Sequence, residues 1–297
     1  MNNKKKSKLK SFDENIGMHL NKVKIVLVLI VILFISSFCA VRFLPIFSVK
    51  NIEVNGNEIV TDDTIIELCG INYNSNLYGL NKNLAIGLIK SNAYIESATI
   101  TRKLPDTLVI DIEERKPLFV IQKENEFVYL DMHGNILDIK DYTSGLPVVY
   151  GFKTNLDDLK VGNKISKEDF NNLDFVYKLL ETIKIKQISS SVTRIDIEDT
   201  NNSKIWFDNE SKVAYIGNGS ELDIRLDYIK AILAQELGNS GSIFVNIDLN
   251  KGKAYFREEE IETISFQTEA QEVVIETQEE VEEVQETEEN EENIEEE

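Results

Sequence analysis

Residues 101–119 read TRKLPDTLVIDIEERKPLF. Apolar and polar side chains alternate up to Leu104, a Pro-Asp pair intervenes, and alternation resumes at Leu108, Ile110 and Ile112. A period of two marks strands, so the stretch is two strands joined by a tight turn. Ala98, Ile100, Arg102 and Leu104 share one face of the first strand. A slip of one residue would turn one apolar set outward, so paired residue numbers must sum to an even number. A two-residue turn would pair Leu104 with Thr107 and Ile100 with Asp111. We therefore expect a three-residue loop, Pro105-Asp106-Thr107, or a shorter turn with a bulge. That loop pairs Leu104 with Leu108 and Ile100 with Ile112. Arg102 and Lys103 oppose a strand bearing Asp111, Glu113 and Glu114, and cross-strand neutralisation accounts for them.

Upstream, Phe47–Val54 alternates with one slip in phase, and Asn55-Gly56-Asn57 turns the chain. Thr61 with Asp62 and Asp63 starts a helix whose apolar face is Ile65, Ile66, Leu68 and Cys69, ended by Gly70. An Asn-rich loop leads to a second helix over 81–91, with Leu84, Leu88 and Ile89 as its apolar residues. The order is strand, helix, helix, strand, strand: two helices able to cover one face of a three-stranded sheet.

Ile25–Val41 is an uncharged run bounded by Lys24 and Arg42. Residues 23–44 are long enough to cross the ~30 Å hydrocarbon layer as one helix. Ser37 and Cys39 sit at a cleavage-like spacing, which keeps a cleaved signal peptide as the competing reading. Residues 1–24 hold seven Lys against Asp13 and Glu14, which predicts a cytoplasmic N-terminus and an extracytoplasmic bulk.

Downstream, short strands are expected at Phe119–Gln122, Phe127–Asp131 and Ile136–Asp138, with a turn through His133 and Gly134. Leu146-Pro147-Val148-Val149 leads into Gly151. Ser166, with Asp169 three residues on, caps a helix reaching Ile185. Strands follow at Val192–Ile197, Lys204–Phe207 and Ser211–Ile216. Leu222, Leu226, Ile229 and Leu233 form an amphipathic helix. Ile243–Leu249 and Lys253–Arg257 are the last strands, turning at Asn250-Lys251-Gly252.

The formal net charge of −20 is a property of one segment. Residues 258–297 hold 19 Glu and no Asp, Lys or Arg; the rest has 33 acids and 32 bases. Such a block cannot bury enough apolar area to offset its ordering entropy, so 258–297 is expected to be disordered.

Little here suggests chemistry. Cys39 falls in the apolar run and Cys69 on a helix face, so no disulfide is expected. Cys69 with His133 is a conceivable nucleophile and base, but the thiol reads as core. No His/Cys cluster suits zinc, and Gly217-Asn218-Gly219-Ser220 lacks the Lys of a phosphate loop. Asp157-Asp158 and Asp196, Glu198 and Asp199 read as solvated carboxylates. Residues 43–257, with 24 bases and 31 acids, offer no grip for nucleic acid. No cofactor or metal is expected. Protein binding at a sheet edge is left, and the last strand is the candidate.

The lead-in FSVKNIEVNGN and the hairpin YIESATITRKLPDTLVIDIEERKP, with two helices between, resemble a POTRA domain. FVYLDMHGNIL, LPVVYG, VAYIGNGSELDIRLDYIKAIL and VNIDLNKGKAYFR follow in order. Over residues 23–257 the chain resembles the FtsQ/DivIB family of bacterial division proteins. The resemblance implies an α+β architecture: a basic cytoplasmic segment (1–22), a transmembrane helix (23–44), a POTRA-like β-α-α-β-β module (45–116) and a β-rich α+β domain (117–257). A Glu-rich tail (258–297) falls outside it. It implies a non-enzymatic, single-pass scaffold of the divisome, enriched at the septum, that regulates septal peptidoglycan synthesis. It implies partners of the FtsB/DivIC and FtsL type, received at Gly252, Lys253, Ala254, Tyr255, Phe256 and Arg257. The competing function is a membrane-anchored extracytoplasmic cell-wall enzyme. A one-pass sensor has no room for an output domain in so short a Lys-rich end.

Overall fold

The computed structural model describes residues 24–38, 45–246 and 254–269. Helix α1 covers 24–38, and Ile25–Ile35 and Phe38 expose their large apolar side chains. Among the described residues no helix is long and apolar enough to cross a membrane. The expected span of 23–44 continues past residue 38 into residues outside the description. The chain divides into two compact units that part between Pro117 and Leu118, with Asn135–Leu137 and Lys160–Lys164 grouped with the first.

The first unit is built on strands β1 (Asn51–Asn55), β2 (Ile95–Lys103) and β3 (Thr107–Glu114), with helices α2 (Asp62–Cys69) and α3 (Lys82–Ile89). The sheet order is β1-β3-β2; β1 runs parallel to β3, and β2 antiparallel to it. The Thr61 side chain accepts from the Thr64 amide to start α2, and Gly70 ends it in the left-handed conformation. Asn81 caps α3 in the same way through the Leu84 amide. Gly56, at φ +85°, has no room for a Cβ against the Ile112 carbonyl, so the turn after β1 requires glycine. Ile65, Cys69, Ala85 and Ile89 from the helices bury against Ile100, Leu108, Ile110 and Ile112 of the sheet.

Four expectations need correction here. The three-residue loop lies at Leu104–Asp106, one position earlier than expected. Pairs therefore sum to 210: Ile100 faces Ile110, Arg102 faces Leu108, and Lys103 faces Thr107. The parity holds, so the apolar faces coincide. The shift leaves Leu104 58% exposed and frees Thr107 to begin the parallel ladder with Asn51. β1 starts at Asn51, because Pro45–Phe47 forms a 3-10 turn and Val49 bonds to the 74–75 loop. On α3 the inward pair is Ala85 and Ile89, one turn apart, while Leu84 and Leu88 face solvent. Finally, Arg102 does not pair with the acids of β3. Its Nε and Nη2 donate to the Leu77 and Leu80 carbonyls, and Lys103 reaches Glu53 on β1. Glu114 instead accepts from the backbone amides of Glu58, Ile59 and Val60.

The second unit holds a nine-stranded sheet. Its strands are β4 (Phe119–Lys123), β5 (Glu126–Leu130), β6 (Ile136–Lys140), β7 (Val148–Tyr150), β8 (Arg194–Asp196), β9 (Ser203–Phe207), β10 (Lys212–Gly217), β11 (Gly241–Phe244) and β12 (Tyr255–Glu258). Their spatial order is β12-β11-β10-β9-β8-β7-β4-β5-β6. Pairs β4–β7, β7–β8 and β10–β11 are parallel, which makes the sheet mixed. Alternation sorts the residues. Ile195, Ile205, Ala214, Ile216 and Ile243 occupy one face and are buried. Helices α4 (Phe170–Ile185) and α5 (Leu222–Gln235) pack beside each other and supply Val176, Leu179, Ile183, Leu226 and Ile229 to this core. Ser166 caps the turn entering α4, but through the Glu168 amide. Asp169 turns inward instead and accepts from the Lys153 and Thr154 amides and the Thr154 hydroxyl.

Candidate functional site

The strand singled out by sequence ends one side of the nine-stranded sheet. Gly252 and Lys253 lie outside the described residues; Ala254 precedes β12, and Tyr255, Phe256 and Arg257 lie within it. Among the described residues β12 pairs antiparallel with β11 alone, setting Phe244 opposite Tyr255, Ile243 opposite Phe256 and Ser242 opposite Arg257. The Glu259 amide donates to the Ser240 carbonyl, continuing this ladder. Antiparallel hydrogen bonds alternate sides, so the amides of Tyr255 and Arg257 point at β11. Those of Phe256 and Glu258 point outward.

Local packing fixes this strand tightly. Gly241 faces Glu258, and a Cβ there would collide with the Arg257 carbonyl and the Phe256 ring. Tyr255 stacks on Phe244 with centroids 4.8 Å apart, and Phe244 on Tyr215 at 4.9 Å. The Arg257 guanidinium lies 4.8 Å from the Phe244 centroid. A cross-strand aromatic row thus runs over β10, β11 and β12 and ends at Tyr255, which is 44% exposed. Offset stacking and cation–π contact stabilise such a row by about 0.5–1.5 kcal/mol per pair beyond burial. Phe256 points to the opposite face, half-buried, 5.9 Å from the Lys212 ammonium.

The chain does not leave the fold at residue 258, contrary to the expected tail boundary. Residues 259–269 continue as a strap over the face that carries Tyr215 and Phe244. The Ile261 amide donates to Ser240 Oγ, and the Ile264 amide to Asp208 Oδ1 at 3.0 Å. The Glu262 carbonyl accepts from Arg194 Nη2. Phe266 meets Phe127 of β5 edge-on at 5.7 Å, and the Gln267 carbonyl accepts from the Thr143 amide at 2.8 Å. The strap centres on a buried ion pair: Arg194 Nε and Nη2 donate to the two Asp208 oxygens at 2.8 and 2.6 Å. Burial raises the Asp208 pKa. The bonds from Arg194, the Thr193 hydroxyl and the Ile264 amide outweigh that, and hold the carboxyl below its usual range. The missed sequence signal is Ile261, Ile264 and Phe266, apolar side chains set among glutamates.

Cys69 is 2% exposed in the first unit's core, its thiol donates to the Ile66 carbonyl, and burial pushes its pKa up. That is the reverse of an activated thiolate. His133 is exposed in the second unit, in a turn where its amide donates to Asp131. Gly217–Ser220 is a turn with two positive-φ glycines. Asp196 pairs with Lys204, and Asp199 accepts from the Asn201 amide. Among the described residues no group of acids, Cys and His could hold a metal ion.

Residues 47–115 match the family model of the FtsQ-type POTRA domain, and residues 119–250 match that of the C-terminal region of cell division protein FtsQ/DivIB. The second match stops short of β12 and the strap. Cell division protein DivIB of Clostridium tetani is 30% identical over 214 residues, covering 71% of this chain and 80% of the relative. The DivIB of Clostridium acetobutylicum is 29% identical over 195 residues, 65% and 77% of the two chains. Cell division protein FtsQ of Corynebacterium glutamicum is 31% identical over 127 residues, 43% and 53% of the two.

Proposed function

This chain belongs to the FtsQ/DivIB family of cell division proteins, and from that premise we propose that it works as a membrane-anchored, non-enzymatic scaffold of the divisome. Residues 23–44 form the anchor, residues 1–22 stay cytoplasmic, and both folded units face outward at the septum. The lipid-facing character of α1, with its apolar side chains exposed all round, supports the anchor.

The working surface is the free side of β12. A strand from a partner of the FtsB/DivIC type, itself joined to an FtsL-type protein, adds there by β-augmentation. The carrying observation is that β12 ends the sheet with the Phe256 and Glu258 amides turned outward. Tyr255 and Arg257 flank them on one face and Phe256 on the other, so alternate partner side chains have distinct surroundings. Recruitment at this edge couples the scaffold to regulation of septal peptidoglycan synthesis, with turnover left to other proteins.

The test is calorimetric titration of the partner ectodomain into Tyr255→Lys and Phe256→Lys variants. Weakened binding is expected in both, because each charge sits beside the incoming strand. Unchanged affinity in both variants removes the site.

A further inference from the structure

We propose that the loop of residues 71–80 in the first unit lies against the lipid headgroups, as an interfacial foot beside the anchor. This rests on the reading of residues 23–44 as a membrane anchor.

The first observation is connectivity. The uncharged run ends at Val41, and Ile46 is five residues on, at most about 17 Å along an extended chain. The segment that emerges is stitched to the loop. Leu77 donates to the Phe47 carbonyl, Val49 to that of Ser75 and Asn74 to that of Val49, each at 2.8 Å. Ser48 and Asn76 form an antiparallel bridge. The loop therefore stays where the chain leaves the bilayer.

The second observation is surface chemistry. Ile46, Tyr73 and Tyr78 are 54%, 53% and 41% exposed. Amphipathic aromatics of this kind settle at the membrane–water boundary, ring in the acyl margin and hydroxyl among headgroups. The third is charge. Residues 68–95 contain no Asp or Glu, in a chain with 52 acids, and carry Lys82 and Lys90. Nothing on this stretch repels an anionic leaflet.

The loop is also held in shape. Phe47 packs edge-on against Tyr78 at 5.5 Å, and the Arg102 guanidinium lies 5.7 Å from the Tyr78 centroid while bonding the Leu77 and Leu80 carbonyls. A stiff loop loses little entropy on docking. The foot would fix the first unit's tilt on the membrane.

The experiment uses the full chain in vesicles of phosphatidylcholine and phosphatidylglycerol containing doxyl-labelled lipid. In a Trp206→Phe background, Tyr73→Trp and Tyr78→Trp report on the foot, Leu88→Trp on an exposed apolar control, and Ile30→Trp on the anchor. Shallow doxyl labels should quench Trp at 73 and 78 several-fold more than Trp at 88. Quenching at 30 without excess quenching at 73 and 78 overturns the foot while leaving the anchor standing. Absence of quenching at 30 overturns the anchor, and the foot with it. Hydrogen exchange on the unmodified chain needs no substitution: amides 72–80 should slow several-fold in vesicles relative to detergent, and equal rates count against the proposal.

Discussion

The nine-stranded sheet ends in β6 on one side and β12 on the other, and the chain treats the two ends differently. Beyond β6, the Ile136 amide donates to the Asn163 carbonyl, the Gly162 amide to that of Ile136, and Asn135 bridges Lys164. The backbone at the start of β6 is already engaged. At β12 the chain turns away over a face, and the outward amides of Phe256 and Glu258 are left at the margin. Exposed edges are an aggregation hazard that natural sheets cover or blunt. Among the described residues one end is bonded at its start and the other is open, flanked by Arg257 and Glu258, which is what the proposed partner margin requires.

The contrast can be broken most severely at the buried ion pair. Asp208→Ala strands the Arg194 guanidinium and should cost about 3–5 kcal/mol of unfolding free energy. Urea denaturation checks it, with hydrogen exchange expected to show residues 259–268 released. A cost below about 1 kcal/mol would mean that the strap is not fastened there. Gly241→Val drives a side chain into β12. It should weaken partner binding about 100-fold, or about 2.7 kcal/mol, while far-UV circular dichroism stays near wild type. Glu258→Pro removes one outward amide and no bond to β11, so a loss of about tenfold is expected, close to the net worth of one hydrogen bond. Ile136→Pro in β6 is a matched comparison, since that amide is engaged with the Asn163 carbonyl and the cost should fall on stability instead of binding.

Acid gives the smallest effect. The Asp208 pKa is lowered in the fold, so its contribution is complete above the ordinary carboxylate range. It is lost as pH falls through the lowered value. Trp206, whose ring lies 4.8 Å from the Arg194 guanidinium, should report this by fluorescence below about pH 4 and stay flat from pH 5 to 8.

Much of this architecture is local enough to read from residues. Thr61 and Gly70 delimit α2, Asn81 starts α3, and the alternation around Pro105 forces an even register. What alternation cannot fix is which even register applies. Moving every pair by two keeps the same faces, and parallel pairing with β1, a contact remote in sequence, decides it. The destination of Arg102 was equally hidden, because carbonyls of a loop more than twenty residues away outcompete facing acids. The last strand could be found by its pattern, whereas its place at the margin depends on the order of nine strands. The strap is hidden in sequence because Ile261, Ile264 and Phe266 lie in a segment dominated by glutamate, while the Asp208 and Arg194 that fasten it lie far upstream.

The strap also settles where the remaining chain departs. From β12 to β5 is seven strand spacings, about 34 Å at about 4.8 Å each. The polypeptide crosses that width before Glu269, which therefore lies at the opposite flank. At Glu269 the chain is about four Debye lengths from the open margin at physiological salt. A bulky reporter joined directly after Glu269 should accordingly leave docking undisturbed.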